Sequence, residues 1–145
     1  MSKFAQGKYT VKNREKYVGN GEPTYRSSWE FTFMLFCDNN ASVIQWASEP
    51  FRIPYRNPFT GKQTVYVPDF LMVYIDKSQQ KHVEVIEVKP TKEAILENTK
   101  SIRDRAVLAL NTAKWAAASE FCKRLGMRFR VVTEQDIYQN TGRRR

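Results

Sequence analysis

The chain has 145 residues, 41% hydrophobic and 27% charged, with 24 basic against 15 acidic side chains and a net charge of +9. A chain of this length makes one domain that buries roughly 68–70% of its unfolded surface, so a core forms without staples. Two cysteines (Cys37, Cys122) exclude a disulfide framework or a four-ligand zinc site, and the single His82 excludes chemistry needing two imidazoles. No apolar run approaches the ~18 residues of a spanning helix, and the first residues lack a signal-peptide core. The expectation is therefore no membrane contact and residence where the chain is made.

The charge concentrates at the ends. Residues 1–26 hold six basic and two acidic groups, and the sequence closes on Arg143, Arg144 and Arg145. The expected organisation is a basic N-terminal arm over 1–23, a domain over 24–138 and a basic tail over 139–145. The arms read either as solvated termini or as polyanion contacts that release counterions. Phe4, Tyr9, Tyr17 and Tyr25, interleaved with the lysines, either stack on bases or dock the arm to the domain, and docking is the commoner outcome.

The first helix is expected to start near Ser27, where Ser27-Ser28-Trp29-Glu30 has capping-box spacing, and to end at Asp38-Asn39-Asn40. Two short β-type runs follow, Val43 to Trp46 and Phe51 to Tyr55, then a turn by composition over residues 57–62. Gln63 to Tyr74 reads as one strand. Residues 76–81 form a loop, and His82 to Lys89 a second strand, giving a β-hairpin. Residues 92–125 are helical in pattern, divided near Asn98-Thr99. Ile102, Ala106, Ala109, Ala113 and Ala117 form an apolar stripe continued by Phe121 and Leu125, with a second apolar flank at Leu108, Trp115 and Cys122. Gly126 suits a C-cap, Phe129 to Thr133 a strand, and Asp136 to Tyr138 the start of a last helix. The order α-β-β-β-α-β describes an α/β domain whose mixed sheet gains a parallel strand through the long helix.

Three groups carry chemistry: Glu30, Pro68-Asp69 and Glu87-Val88-Lys89. Glu87 and Lys89 are two apart on a strand and share a face. A hairpin loop centred on Ser78 sets Asp69 opposite Glu87, and a one-residue slip would break that opposition. The neighbours Val67, Phe70, Val85, Ile86 and Val88 are apolar, and an unpaired ion among them costs several kcal/mol. A hard divalent cation relieves that cost. Mg²⁺, with Mn²⁺ as a substitute, suits Asp69, Glu87 and the Val88 carbonyl, with Glu30 completing the set through a water or a second ion. Such an ion acidifies water and stabilises charge on a phosphate, and Lys89 beside it would orient or deprotonate the attacking water.

Each feature also has a plainer reading. Glu30 fits a capping-box glutamate, Glu-x-Lys recurs on exposed strands, and Glu49 beside Pro50 reads as a loop carboxylate. Arg103, Arg105 and Lys114 either line a DNA path or form a solvated helix face. Cys37, Cys122, Trp46 and Trp115 read as packing residues, and His82 as a strand residue beside the loop.

Pro68-Asp69 and Glu87-Val88-Lys89, with Arg26-Ser27-Ser28-Trp29-Glu30 upstream, resemble the PD-(D/E)XK (restriction-endonuclease-like) nuclease superfamily, especially its transposon-end nucleases and phage junction resolvases. Over nearly the whole chain, Phe4-Ala-Gln-Gly-Lys-Tyr, Gln45-Trp-Ala-Ser-Glu, Thr60-Gly-Lys-Gln-Thr and Arg103-Asp-Arg-Ala are similar to the head completion nucleases of T-even-type tailed phages. The resemblance implies a Mg²⁺-dependent DNA endonuclease with metal ligands Asp69 and Glu87, catalytic lysine Lys89 and helix-borne acid Glu30. Arg26, Arg103, Arg105, Lys114 and Arg143 to Arg145 are the candidate DNA contacts. It further implies action on packaged phage heads, head or neck protein partners, and a place in the host cytoplasm during assembly or in the virion. Two alternatives stay open: a DNA-binding head protein with a vestigial site, and a stand-alone junction resolvase.

Overall fold

A computed structural model describes residues 6–91 and 101–141, with side chains as far as Ile137 in the last helix. In chain order the elements are β1 (Gly7–Lys8), β2 (Thr24–Tyr25), α1 (Ser28–Asn39), β3 (Val43–Ser48), β4 (Ile53–Arg56), β5 (Gln63–Tyr66), β6 (Phe70–Ile75), β7 (Lys81–Val88), α2 (Ile102–Arg124), β8 (Arg128–Val132) and α3 (Glu134–Thr141). The central sheet runs β3-β6-β7-β8. Its first two pairings are antiparallel and β7–β8 is parallel, because α2 carries the chain back across the sheet as a crossover. Apart from the β1–β2 pair, the β4–β5 hairpin and the closing helix, this is the αβββαβ order expected of the sequence.

Strand alternation divides the core. Phe70, Met72, Ile86, Val88 and Val132 pack with Met34 and Cys37 of α1, Trp46 of β3 and Ile137 of α3. Trp46, Phe70 and Ile86 are fully enclosed, and each such side chain stabilises the fold by about 1.5–3 kcal/mol. On the opposite side, Ile53, Tyr55 and Tyr66 of the β4–β5 hairpin pack on Ala118, Phe121 and Trp115 of α2 and on Phe129. Residues 85, 87 and 89 alternate with the first set, so Glu87 belongs to the side covered by the hairpin and α2. The expected hairpin register holds, with Phe70 opposite Ile86 and Ile75 opposite Lys81.

Two expectations need correction, and one open alternative is resolved. The strand expected from Gln63 to Tyr74 is two strands in different sheets, β5 pairing with β4 and β6 with β3 and β7. Pro68, fully buried and without an N–H, interrupts the ladder. The apolar stripe of α2 is covered only in its middle. Ala106, Ala109, Ala113, Ala117 and Phe121 are half-buried where α2 packs on β4 and β8, the fully buried Asn111, Ala118 and Cys122 lie beside the stripe, and Ile102 and Leu125 are 85% and 60% exposed. Of the two readings of the N-terminal segment, docking onto the domain holds over residues 6–25. Tyr9, Val11 and Tyr17 are buried. Asp38, at the end of α1, accepts from the Tyr9 hydroxyl (2.6 Å) and from the backbone N–H of Lys12 (2.8 Å) and Asn13 (3.0 Å). Lys16 donates to the carbonyls of Asp38 and Asn40 at the helix C-terminus, where the dipole favours a cation.

Both Cys37 and Cys122 are buried thiols, and His82 lies beside the hairpin loop, 2.7 Å from Asp76 Oδ2. Gly126 adopts φ +74° after α2, and Met127 N–H caps the Cys122 carbonyl at 2.8 Å. The helical piece expected over 92–100 and the tail Arg143 to Arg145 lie outside the described residues.

Candidate active site

The break at Pro68 positions the first carboxylate. Asp69 stands one step before β6, in line with the register that pairs Phe70 with Ile86, so it faces Glu87 across the strand ends. Its Oδ2 accepts the Val88 N–H at 2.7 Å, and its carbonyl accepts Glu49 N–H at 2.8 Å. Asp69 is thereby tied to β7 by its side chain and to the β3–β4 turn by its backbone. Glu87 is buried, accepts the Tyr66 hydroxyl at Oε1 (2.6 Å) and sits 3.6 Å from Lys89 Nζ at Oε2. Lys89 is held from behind, its N–H donating to the Val132 carbonyl of β8 at 2.9 Å.

Glu30 reaches the same rim from the first turn of α1. Ser27 is the N-cap, its Oγ accepting Glu30 N–H at 3.1 Å, while Glu30 Oε1 accepts Arg26 N–H at 2.9 Å. Glu30 thus bonds the N–H one residue before the cap, not the Ser27 N–H of a capping box, and its carboxylate stays within electrostatic reach of Asp69 and Lys89. Glu49, at φ +49°, pairs with the Arg26 guanidinium at 2.6 Å and adds a further acid next to Glu30.

The electrostatics follow from enclosing these acids together. Burial pushes the Asp69 carboxyl well above the usual carboxylate range, and the charges of Glu87 and Glu30 push it further; the Val88 N–H and Lys89 oppose them. Burial also raises Glu87, against the Tyr66 hydroxyl, Lys89 and Lys114. Glu30 is raised by burial, against the Arg26 N–H and guanidinium. Tyr66, buried beside Glu87, has its hydroxyl held firmly protonated, first by burial and then by that carboxylate. Like charges in a poorly solvated cluster are the environment that a cation relieves.

Among the described residues, no three His, Cys, Asp or Glu side chains form a ready-made cage for a metal ion. The donor set nevertheless fits a hard divalent cation. Two enclosed carboxylates face each other with a third in electrostatic reach, and Mg²⁺ is ordinarily held by one or two carboxylates while water fills the rest of its shell.

Lys114 of α2 lies 5.8 Å from the Tyr66 ring centroid and contributes to the field at Glu87. Arg26 is beside the cluster but engaged by Glu49. Arg103 and Arg105 are exposed near the start of α2, and no bond links them to the carboxylates. Tyr66 was not a sequence candidate. It sits in an ordinary β-type run, and its one signal was that a buried tyrosine hydroxyl needs a partner.

A family model described as "TnsA-like endonuclease N terminal" matches residues 40–134, a span that includes Asp69, Glu87, Lys89 and Lys114. The chain belongs to the TnsA-like endonucleases. It therefore has the restriction-endonuclease-like fold, as the αβββαβ order and mixed sheet indicate, and it is a nuclease. The chain is also 34% identical over 142 residues to the "Head completion nuclease" of Enterobacteria phage T4, an alignment covering 90% of this chain and 92% of that one. This likeness extends beyond the TnsA-like region, in which Glu30 is not included.

Proposed function

We propose that this TnsA-like endonuclease is a Mg²⁺-dependent DNA endonuclease that acts in phage head completion after DNA packaging, with DNA and head or neck proteins as partners. The observation that carries the reading is the convergence of Asp69, Glu87, Glu30 and Lys89, drawn from three separate elements, at one rim of the sheet. Asp69, Glu87 and the Val88 carbonyl would hold the ion, with Glu30 reaching it through water; Mn²⁺ substitutes. When bound, the ion supplies Lewis-acid stabilisation of phosphate charge and an acidified water.

The chain's own groups do the rest. The Val88 N–H orients Asp69, and Tyr66 holds one oxygen of Glu87 so that the other faces Lys89. The Lys89 ammonium is then fixed beside the carboxylates, where it orients the attacking water and offsets charge gathering on the scissile phosphate. Lys114, from the helix across the rim, adds a second cation facing an incoming phosphate.

The test incubates the protein with linear, supercoiled and four-way-branched DNA, in EDTA and in Mg²⁺, beside Asp69→Ala, Glu87→Ala and Lys89→Ala. The expected result is Mg²⁺-dependent cutting of linear and supercoiled DNA, lost in all three variants with the circular dichroism spectrum retained. DNA binding without cutting in Mg²⁺ would favour a vestigial site in a head protein, and strong preference for the four-way branch a junction resolvase. Variants as active as wild type would overturn the assignment of the residues.

A further inference from the structure

The β4–β5 hairpin stands outside the αβββαβ core and is built differently at its two ends. At its base, Ile53, Tyr55 and Tyr66 are buried against α2, and Tyr66 holds Glu87. At its tip the backbone is locked from within. Asn57 Oδ1 accepts the N–H groups of Phe59 (2.8 Å) and Thr60 (3.2 Å), Asn57 N–H donates to the Lys62 carbonyl (2.9 Å), and Gly61 N–H donates to the Asn57 carbonyl (2.8 Å). Gly61 takes φ +72°, and Arg56 Nη1 bonds the Gly61 carbonyl across the turn. This firm turn presents Phe59, 61% exposed, to solvent. Phe59 belongs to neither core cluster among the described residues, so its ring is available to a ligand.

The charge of the same element points to the occupant. Residues 50–68 contain three cations, Arg52, Arg56 and Lys62, and no acidic residue. All three cations are exposed. An aromatic face among basic side chains is the combination that binds single-stranded nucleic acid, because every base offers a π-face and its backbone offers phosphates. Paired bases within a duplex hide those faces, so stacking selects unpaired ones. From Tyr66 to the distal pair Arg56–Gln63 the hairpin extends about 10 Å at the usual strand rise. The tip therefore stands a few nucleotide steps from the carboxylates.

We infer that the β4–β5 hairpin is a substrate-reading finger that engages unpaired DNA beside the scissile phosphate. Phe59 stacks on an unpaired base, while Lys62 and its basic neighbours neutralise the adjoining backbone. The inference deepens the nuclease reading of the same site and rests on it, making gapped or otherwise locally single-stranded DNA the favoured substrate.

The test is equilibrium binding in EDTA, by fluorescence anisotropy, to a duplex with a short internal single-stranded gap and to its continuous counterpart. Wild type is expected to prefer the gapped DNA. Phe59→Ala is expected to lose about tenfold in affinity for gapped DNA and to bind continuous duplex as wild type does, while Phe59→Trp keeps the preference. Lys62→Ala is expected to lower the salt slope by about one. Absence of a gap preference in wild type, an equal loss on both DNAs, or no loss in Phe59→Ala would each overturn the inference; so would an unchanged salt slope in Lys62→Ala. The exposure of Phe59 keeps folding out of the result, checked by the thermal melt. A Mg²⁺ arm separates the two claims: no cleavage with an intact gap preference sinks the nuclease reading and leaves the finger standing as a binding element.

Discussion

Replacing Asp69 by Asn should stabilise the ion-free protein while abolishing cleavage. Enclosing the Asp69 carboxylate beside Glu87 and Glu30 carries a penalty of several kcal/mol for a buried ion. The bond from Val88 N–H at 2.7 Å returns about 1.5–3 kcal/mol, as bonds to charged groups do, and Lys89 returns some more. Asn keeps an acceptor for Val88 N–H and removes the charge. The net gain is about 1–2 kcal/mol at pH 8, a rise in Tm of roughly 2–8 °C for a chain of this size. The sign follows from linkage. Because the folded carboxyl titrates above its unfolded value, the wild type loses stability as pH rises from the unfolded pKa of about 3.9 through the folded one. The Asn advantage is therefore absent near pH 4 and complete at alkaline pH. Thermal unfolding followed by circular dichroism in EDTA, across that range, reads it directly. Mg²⁺ should then reverse the order, since an ion at a hundred times its Kd stabilises only the wild type, by about 2.7 kcal/mol. An Asn variant less stable than wild type at pH 8 in EDTA would refute the reasoning, showing the carboxylate to be a net stabiliser.

Four other outcomes follow from the same structure. Asp38→Ala strands the Tyr9 hydroxyl and the N–H groups of Lys12 and Asn13 and should cost about 3 kcal/mol or more; a Tm shift of less than about 2 °C would contradict it. Burial raises Asp38, but the bonds from Tyr9, Lys12 and Asn13 outweigh it and hold its pKa below the usual value, so its contribution should disappear as pH falls through that lowered value, read as acid-induced loss of the near-ultraviolet signal. Tyr66→Phe removes a donor that favours ionised Glu87; the acid limb of the cleavage profile should move to higher pH and the rate fall about tenfold or more, whereas an unmoved limb would make Tyr66 a packing residue only. Lys114→Ala should lower kcat/KM and reduce the salt slope of DNA binding by about one, and an unchanged slope would place Lys114 off the DNA path.

The site was legible wherever local rules carried it. The apolar runs of β6 and β7, with a polar loop centred on Ser78 between them, mark the hairpin whose register sets Asp69 against Glu87, and the capping spacing marks the start of α1 at Ser27. What stayed hidden depends on contacts between residues far apart in the chain. Tyr66 meets Glu87 only because Pro68 splits one apparent strand into two that join different sheets. Residues 1–23 read as a basic arm because their charge is visible in sequence, whereas Asp38, the acceptor that docks Tyr9, Lys12 and Asn13, looks like an ordinary helix-terminal aspartate until the fold encloses it. Glu84 is a similar case. A charged residue in mid-strand, it is buried and held by Tyr74 (2.8 Å) and Arg130 (3.0 Å).

The central claim is that Asp69 and Glu87, with Glu30 behind them, act as one cation site. Calorimetric titration of the folded protein with Mn²⁺ tests it most directly, with Asp69→Asn and Glu87→Gln as partners. The account predicts saturable binding by wild type at pH 8 that weakens towards pH 5 as the carboxyls take up protons, and loss of that binding in both variants. Undiminished Mn²⁺ affinity in either variant would contradict it.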